Sequence, residues 1–190
     1  MGVPMARFAV FALPLLLVVA LVMLINSWSD TPAVETTPPA DLSAVVALPN
    51  GSVLTAPKGS VGRDMVDWLA SDDDTERRFE LGGREFDGRS IEPTMESKVR
   101  IERGVAILKA NPNVSLEVIG YTAATADPAA DLKLGQARAD WIVNALHAGG
   151  IASSRLTAHS RGGADPIGDN KTPAGRAANE RVAMILRHQH

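Results

Sequence analysis

Residues 79–187 alternate between the two-residue periodicity of strands and the longer spacing of amphipathic helices, and this alternation restricts the folds open to the chain. Apolar residues recur at helical spacing over 93–111 and again over 134–145, where Gly149-Gly150 ends the stripe. Residues 114–120 alternate as a strand between these two helices. Together with the elements below, this order predicts an α+β sandwich, β-α-β-α-β-β, whose mixed sheet carries its helices on one face.

The remaining elements are shorter. Further strands are expected over 79–86, 155–160 and 182–186, with one or two helical turns over 175–180. Upstream, residues 42–78 are predicted to form a hairpin and a helix ahead of the main domain, which spans 79–190. In this preamble, strands over 43–48 and 52–55 flank Asn50-Gly51, a dipeptide that favours a type I′ turn, and Ser60 is placed to cap a helix over 61–70.

The beginning of the chain predicts a membrane segment. Residues 8–25 are apolar throughout and are preceded by Arg7, so residues 1–28 are expected to form a single transmembrane helix that leaves its N-terminus in the cytoplasm. A cleaved signal peptide is the alternative, although the apolar run is longer than the usual 7–15 residues. Residues 29–41 contain three prolines and read as an extended linker.

Composition excludes several function classes. The chain has 19 Lys plus Arg against 22 Asp plus Glu, so its net charge of −3 gives no electrostatic reason to expect nucleic acid as a partner. It contains no Cys, which excludes disulfides, zinc–thiolate sites and a thiol nucleophile. Its four His show no metal-ligand spacing, and no catalytic motif is present. We therefore predict no enzyme activity, no metal and no cofactor.

Three segments at fixed separations carry a family resemblance: GYTA at 120–123, LGQARA at 134–139 and DNKTPAGRAANERV at 169–182. They resemble the peptidoglycan-associating domain of the OmpA family, which is found at the C-terminus of OmpA, Pal and MotB proteins. The family form reads roughly GHTD, LSxxRA and NxTxxGRxxNRRV. The resemblance covers about residues 79–187 and implies the same α+β fold.

In that family the pocket binds the free D-centre of meso-diaminopimelate in a peptidoglycan stem peptide. This group is a zwitterion, so it needs a cation for its carboxylate and an acid for its ammonium. Arg138 matches the family Arg that binds the carboxylate, although a helical Arg can also be an ordinary partner of Asp or Glu. The family's acid falls at Ala123, which cannot accept the ammonium. Asp127 and Asp131 are the two nearby carboxylates that could replace it, with a turn or helix cap as the other interpretation of Asp127.

The last segment adds supporting residues. By the resemblance, Thr122, Asn179 and Arg181 border the ligand, while Glu180 replaces the middle Arg of NRRV. The competing interpretation is structural: Gly175 permits close backbone approach, and Arg181, with Arg176, ties the last turn to the sheet.

Two functions stay open from the sequence. The first is a single-pass bacterial inner-membrane protein whose periplasmic domain binds peptidoglycan and tethers the cell wall to the membrane. The second is an OmpA-like domain with a degenerate ligand site, which acts as a protein-interaction module within an envelope complex. Ala123 favours the second function, whereas Arg138 favours the first.

Overall fold

The computed structural model describes residues 44–82 and 84–189, and the predicted membrane helix over 8–25 and the linker over 29–41 lie outside them. Among the residues described, no helix is both long and apolar enough to cross a bilayer. These residues form six strands and four α-helices: β1 Val45–Ala47, β2 Val53–Thr55, α1 Val61–Leu69, β3 Arg77–Gly82, α2 Met95–Ala110, β4 Val114–Tyr121, α3 Pro128–Ala148, β5 Leu156–Gly162, α4 Pro173–Asn179 and β6 Val182–His188.

The main sheet has four strands in the order β3-β6-β4-β5. Strand β4 lies at its centre, where Val118 pairs with Met184 of the antiparallel β6 and with Ala158 of the parallel β5. The mixed sheet expected from the sequence is therefore confirmed. The short helical turn expected before the last strand is α4, and it begins at Pro173 with Thr172 as its cap.

Helices α2 and α3 cover one face of this sheet. Ile142 and Leu146, one helical turn apart on α3, are completely buried, and they belong to the same core as Ile107 of α2 and Leu116 and Leu186 of the sheet. Full burial of each such side chain is worth about 1.5–3 kcal/mol. This core fixes α3 against β4. It therefore also fixes the positions of the polar residues on the first half of α3 and after the C-terminal end of β4.

Strand β3, the first strand of the main sheet along the chain, is shorter than the strand predicted over 79–86. It ends at Gly82, whose φ of +79° lies in the left-handed region that interrupts a strand. As a result, residues 84–94 form a loop between β3 and α2 instead of extending the sheet. This loop is held by a bridge between Phe86 and Pro93, and it lies over the motif residues described below.

The hairpin of the preamble is present, but the type I′ turn expected at Asn50-Gly51 is wrong. Strands β1 and β2 are antiparallel, and the Leu48 and Ser52 backbones are joined by a 2.8 Å hydrogen bond across a three-residue loop. Within residues 49–51 only Gly51 has a positive φ, +83°, because Pro49 starts an ordinary turn and the glycine then completes the loop.

The end of β4 and the first half of α3 approach each other unusually closely. A Cβ atom on Gly120 would collide with the carbonyl of Gly135, and one on Gly135 would collide with the Ser160 side chain. Gly135 stands where the family form LSxxRA has a serine, and it permits direct backbone contact. This contact brings the face of α3 that carries Arg138 next to the segment that follows Tyr121.

Candidate functional site

Arg138 is buried at the C-terminal end of β4, where only 2% of the residue is exposed. Its Nε donates to the Ser90 carbonyl at 2.9 Å and its Nη2 to the Gly88 carbonyl at 2.6 Å, both in the loop after β3. Its Nη1 forms an ion pair with Glu180, and the guanidinium lies 5.3 Å from the centre of the Phe86 ring. Arg138 thus pairs with an acid, but as a buried group and not as a surface arginine.

Glu180 follows α4 and directs its carboxylate into the same place. One oxygen, Oε2, receives Arg138, while Oε1 accepts from Arg89 Nη1 at 2.8 Å and from the backbone N–H of Ala123 at 3.1 Å. The Ala123 side chain is a buried methyl group, yet a carboxylate lies against its backbone. The acid that is missing from residue 123 is therefore supplied at this point by a residue 57 positions later in the chain.

Arg89 lies between Gly88 and Ser90, the two residues whose carbonyls contact Arg138. Its guanidinium donates to three oxygens: the Ala123 carbonyl at 3.0 Å, Glu180 Oε1 at 2.8 Å and Asp131 Oδ1 at 2.7 Å. Its side chain is 42% exposed, whereas those of Asp131 and Glu180 are 2% and 13% exposed. Arg89 is therefore a solvent-facing cation held by more deeply buried acceptors.

Asp131 is the member of the predicted acid pair that reaches the site. Its carboxylate accepts from the Thr125 N–H at 2.7 Å and the Thr125 hydroxyl at 3.0 Å, in addition to Arg89. Burial acts to raise the pKa of Asp131, but the hydrogen bonds from Thr125 and Arg89 together hold that pKa below its ordinary value. Asp131 is consequently a charged, buried acceptor at neutral pH.

Asp127 has the other role considered for it. Its side chain accepts from the N–H groups of Ala129 and Ala130 at 3.1 and 3.0 Å, and Pro128 occupies the first turn. It therefore caps α3 and explains why this helix begins six residues before Leu134. Its carboxylate is directed to the helix N-terminus, away from the ion pairs of Arg138.

Asn179 and Arg181 lie on either side of Glu180 but point elsewhere. The Asn179 amide binds the loop before α4: it accepts from the N–H groups of Ile167 and Gly168 and donates to the Gly168 carbonyl and to Asn170. The Arg181 guanidinium lies 3.8 Å from the centre of the Tyr121 ring and donates to the Asp165 carbonyl at 3.0 Å. The structure does not bring either side chain into contact with Arg138, and their direct contact with a ligand stays a prediction.

The structural interpretation of the same segment is supported for Gly175 and Arg181, whereas Arg176 contacts the loop before α4 and not the sheet. A Cβ atom on Gly175 would collide with the backbone of Asp169, so this position requires the close approach that glycine permits. Arg176 donates to the Asn170 carbonyl at 3.0 Å. Thr122 is 2% exposed, and within the described residues its hydroxyl makes no hydrogen bond.

Four side chains therefore form one ionic network: Arg138, Glu180, Arg89 and Asp131. Two guanidinium groups and two carboxylates make it formally neutral, which suits a ligand that carries one charge of each sign. In the part of the chain that the structure describes, no group of three or more His, Asp or Glu side chains is arranged to hold a metal ion.

Sequence reasoning identified Arg138 and Asp131 but missed Arg89 and gave Glu180 no role. Glu180 did leave a signal, because it places an acid where the related motif has an arginine. Arg89 left none, since it lies on an irregular loop, 42 residues from Asp131 and 91 from Glu180.

Comparisons with known proteins give a consistent result. The model of the OmpA family matches residues 85–180. The chain is 40% identical over 84 residues to the probable lipoprotein YiaD of Escherichia coli strain K12, a match that covers 44% of this chain and 38% of YiaD. It is 34% identical over 79 residues to the peptidoglycan-binding protein ArfA of Mycobacterium tuberculosis, covering 42% of this chain and 24% of ArfA. The matches therefore span well under two thirds of these relatives.

Solved structures show the same fold at lower identity. The periplasmic domain of Helicobacter pylori MotB superposes with a TM-score of 0.55 at 22% identity, covering 63% of this chain and 81% of that one. The cell wall anchor of the T6SS from Pseudomonas aeruginosa superposes with a TM-score of 0.54 at 23% identity, covering 68% and 95%. The α+β architecture read from the sequence is thus shared with these domains.

Proposed function

Because this chain belongs to the OmpA family, we propose that it binds peptidoglycan non-covalently and tethers the cell wall to the inner membrane. The observation that carries the proposal is the buried guanidinium of Arg138, which is already paired with a carboxylate, that of Glu180. A site built to hold a carboxylate on a fixed arginine is what recognition of a stem peptide needs. The name of the relative ArfA, a peptidoglycan-binding protein, supports the same ligand.

The proposed ligand is the free D-centre of meso-diaminopimelate. Arg138 binds its carboxylate, with Thr122 bordering the pocket, while Asn179 and Arg181 support the site by fixing the chain on either side of Glu180. The role is non-catalytic. No cofactor takes part in it, because charge pairing and hydrogen bonding are sufficient to hold a zwitterion.

The proposed location is the periplasmic side of the bacterial inner membrane. The apolar run over 8–25 would anchor the chain as a single-pass helix, and the linker over 29–41 would hold the domain away from the bilayer. A lipoprotein and a MotB periplasmic domain among the similar proteins support an envelope location.

Sedimentation with purified peptidoglycan sacculi tests this function. We expect the full-length chain, kept soluble in mild detergent, to sediment with sacculi, and we expect Arg138→Lys to lose most of that binding, because lysine keeps the charge but not the fork-shaped geometry. Arg63→Ala removes a remote, half-buried arginine of α1, whose acid partner is the exposed Asp67, and serves as the matched control. Failure of the unaltered chain to sediment, or equal sedimentation of Arg138→Lys, would contradict the proposal.

A second function is favoured by one observation. Arg138 is covered by the Gly88 and Ser90 carbonyls and by Glu180, and these contacts close the site. A permanently closed site would leave an OmpA-like domain that serves as a protein-interaction module in an envelope complex. In that case neither sacculi nor a soluble stem peptide binds, and Arg138→Lys changes only the stability of the domain.

A further inference from the structure

We propose that three oxygens, Glu180 Oε1, Asp131 Oδ1 and the carbonyl of Ala123, form the binding site for the ammonium of the stem peptide, and that Arg89 occupies this site until the ligand displaces it. We call these three oxygens the oxygen cage. The inference rests on the proposed function, since it assigns the second half of the ligand to the same pocket. It replaces the absent acid at residue 123 with acids from two other elements.

The geometry of the oxygen cage suits a small cation. Two of its oxygens, those of Ala123 and Glu180, lie 3.0 and 2.8 Å from one nitrogen, Nη1 of Arg89, and the third lies 2.7 Å from the adjacent Nη2. An ammonium group carries three N–H donors on a single nitrogen and no acceptor. Three converging acceptors, two of them carboxylate oxygens, are therefore a complete set of partners for it.

Exposure indicates which member of the network gives way. Asp131 is fixed by Thr125, and Glu180 is fixed by Arg138 and the Ala123 N–H, whereas the Arg89 side chain is 42% exposed. An exposed guanidinium can turn into water at little cost. Asp131 would then be buried without a cation, and Glu180 would keep only Arg138, which is unfavourable unless the incoming group is itself positive. The oxygen cage therefore selects a ligand with an ammonium over one that has only a carboxylate.

Displacing Arg89 also gives access to Arg138. Arg89 lies between the residues whose carbonyls cover Arg138, so movement of this part of the loop uncovers the deeper guanidinium. Arg138 uses three of the five N–H donors of a guanidinium, and among the described residues the other two make no hydrogen bond. Those two donors can receive the ligand carboxylate while Glu180 stays in place and holds the ammonium.

The test is a calorimetric titration of the full-length chain with a soluble stem peptide that ends in meso-diaminopimelate. We expect Arg89→Ala to bind on the order of tenfold more tightly, because no internal cation has to be displaced, and Glu180→Gln to bind on the order of tenfold more weakly, because a charged acceptor is lost. The matched controls are Arg63→Ala and Glu76→Gln, an arginine and an acid in partly exposed ion pairs away from the site. Both controls should leave the affinity unchanged.

A second arm needs no variant and so does not depend on how Glu180→Gln folds. The same peptide with its free D-centre amine acetylated keeps the carboxylate but has no ammonium, and we expect the unaltered chain to bind it at least tenfold more weakly. Equal affinity for both peptides, or tighter binding by Glu180→Gln, would overturn the inference while leaving peptidoglycan binding intact. If neither the unaltered chain nor Arg89→Ala binds any peptide or sacculus, the proposed function fails and the inference fails with it.

Discussion

The carboxylate side of the site and the oxygen cage lie next to each other but are built in different ways. Arg138 projects from the middle of α3, a 21-residue helix whose apolar face lies in the core. The oxygen cage is assembled from the segment after β4, the first turn of α3 and the end of α4, and its occupant Arg89 comes from a fourth place, the loop after β3. The first side is rigid because the core holds it, whereas the second depends on ion pairs between loops.

This difference separates what the fold guarantees from what the particular sequence provides. Close contact between Gly120 and Gly135 positions α3 on β4, so any chain with this core brings residue 138 to the same place. Glu180 and Arg89 have no such constraint, and their charges could have been reversed without altering the core. Substitutions on the two sides should therefore lower the free energy of unfolding by different amounts, with the largest loss at Arg138.

Removal of Arg138 should have the largest effect. Arg138→Ala leaves Glu180 without its most buried cation and the Gly88 and Ser90 carbonyls without their donor. Breaking a buried ion pair from one side costs about 3–5 kcal/mol. Urea unfolding followed by circular dichroism measures this loss, with Arg63→Ala expected to stay within about 0.5 kcal/mol of the unaltered chain. A decrease of less than about 1 kcal/mol in the free energy of unfolding would mean that the stability of the domain does not depend on the Arg138 guanidinium.

Removal of the Asp131 charge should have an intermediate effect. Asp131→Asn keeps the shape of the side chain but weakens its bonds from Arg89 and Thr125. Hydrogen bonds to a charged group contribute about 1.5–3 kcal/mol, so we expect a decrease of that size in the free energy of unfolding. Asp127→Asn offers a contrast, because asparagine is an equally good helix cap and should change stability little. If both variants lose the same free energy of unfolding, the ion pair and hydrogen bonds of Asp131 do not stabilise the domain, which would contradict its place in the network.

The contribution of Asp131 to the free energy of unfolding should also depend on pH. The change with pH should not exceed the loss of about 1.5–3 kcal/mol expected for Asp131→Asn. Because the native pKa of Asp131 is lowered, its stabilising effect is fully present above the unfolded value of about 3.9 and is lost as pH falls through the lower native pKa. The difference in unfolding free energy between the unaltered chain and Asp131→Asn should therefore be constant near neutral pH and shrink below about pH 4. A difference that grows on acidification would contradict the assignment.

Removal of Arg89 should have the smallest effect on stability. Its partners are buried, but Asp131 keeps its hydrogen bonds from Thr125 and Glu180 keeps Arg138, so the loss should be about 1 kcal/mol. We expect Arg89→Ala to lower the unfolding free energy by about that amount, measured in the same urea series. A loss as large as that of Arg138→Ala would show that Arg89 is a structural anchor and not a displaceable occupant.

The sequence was sufficient for most of the fold. Regular periodicity located the strands and the two long helices, since burying one face of each element imposes that spacing. It erred where irregular backbone decides the outcome, at Gly82, which ends β3 early. The cap at Asp127, one of its two interpretations, is confirmed and starts α3 before the apolar stripe. Sequence reasoning also misjudged the turn that Pro49 begins, because a dipeptide preference does not include the preceding proline.

In the site, the sequence alone could identify only the residue that the core positions, Arg138. Arg138 could be located by its fixed distance from neighbouring motif residues on a helix. Asp131 was one of two candidates, and its ion pair with Arg89 separates it from Asp127, which caps α3. Glu180 and Arg89 meet across 91 residues through loop conformations that have no periodic signature. Their roles therefore required the three-dimensional arrangement.

The most direct test of the account is an NMR titration of the full-length chain in detergent micelles with the meso-diaminopimelate stem peptide. The Ala123 amide donates to Glu180 and lies beside the oxygen cage, so its signal reports on that carboxylate. We expect saturable shifts of the Ala123 amide, together with those of Gly88 to Ser90, and loss of these shifts when the peptide amine is acetylated. Absence of shifts at these amides, or shifts confined to the Tyr121 and Arg181 surface, would contradict the account.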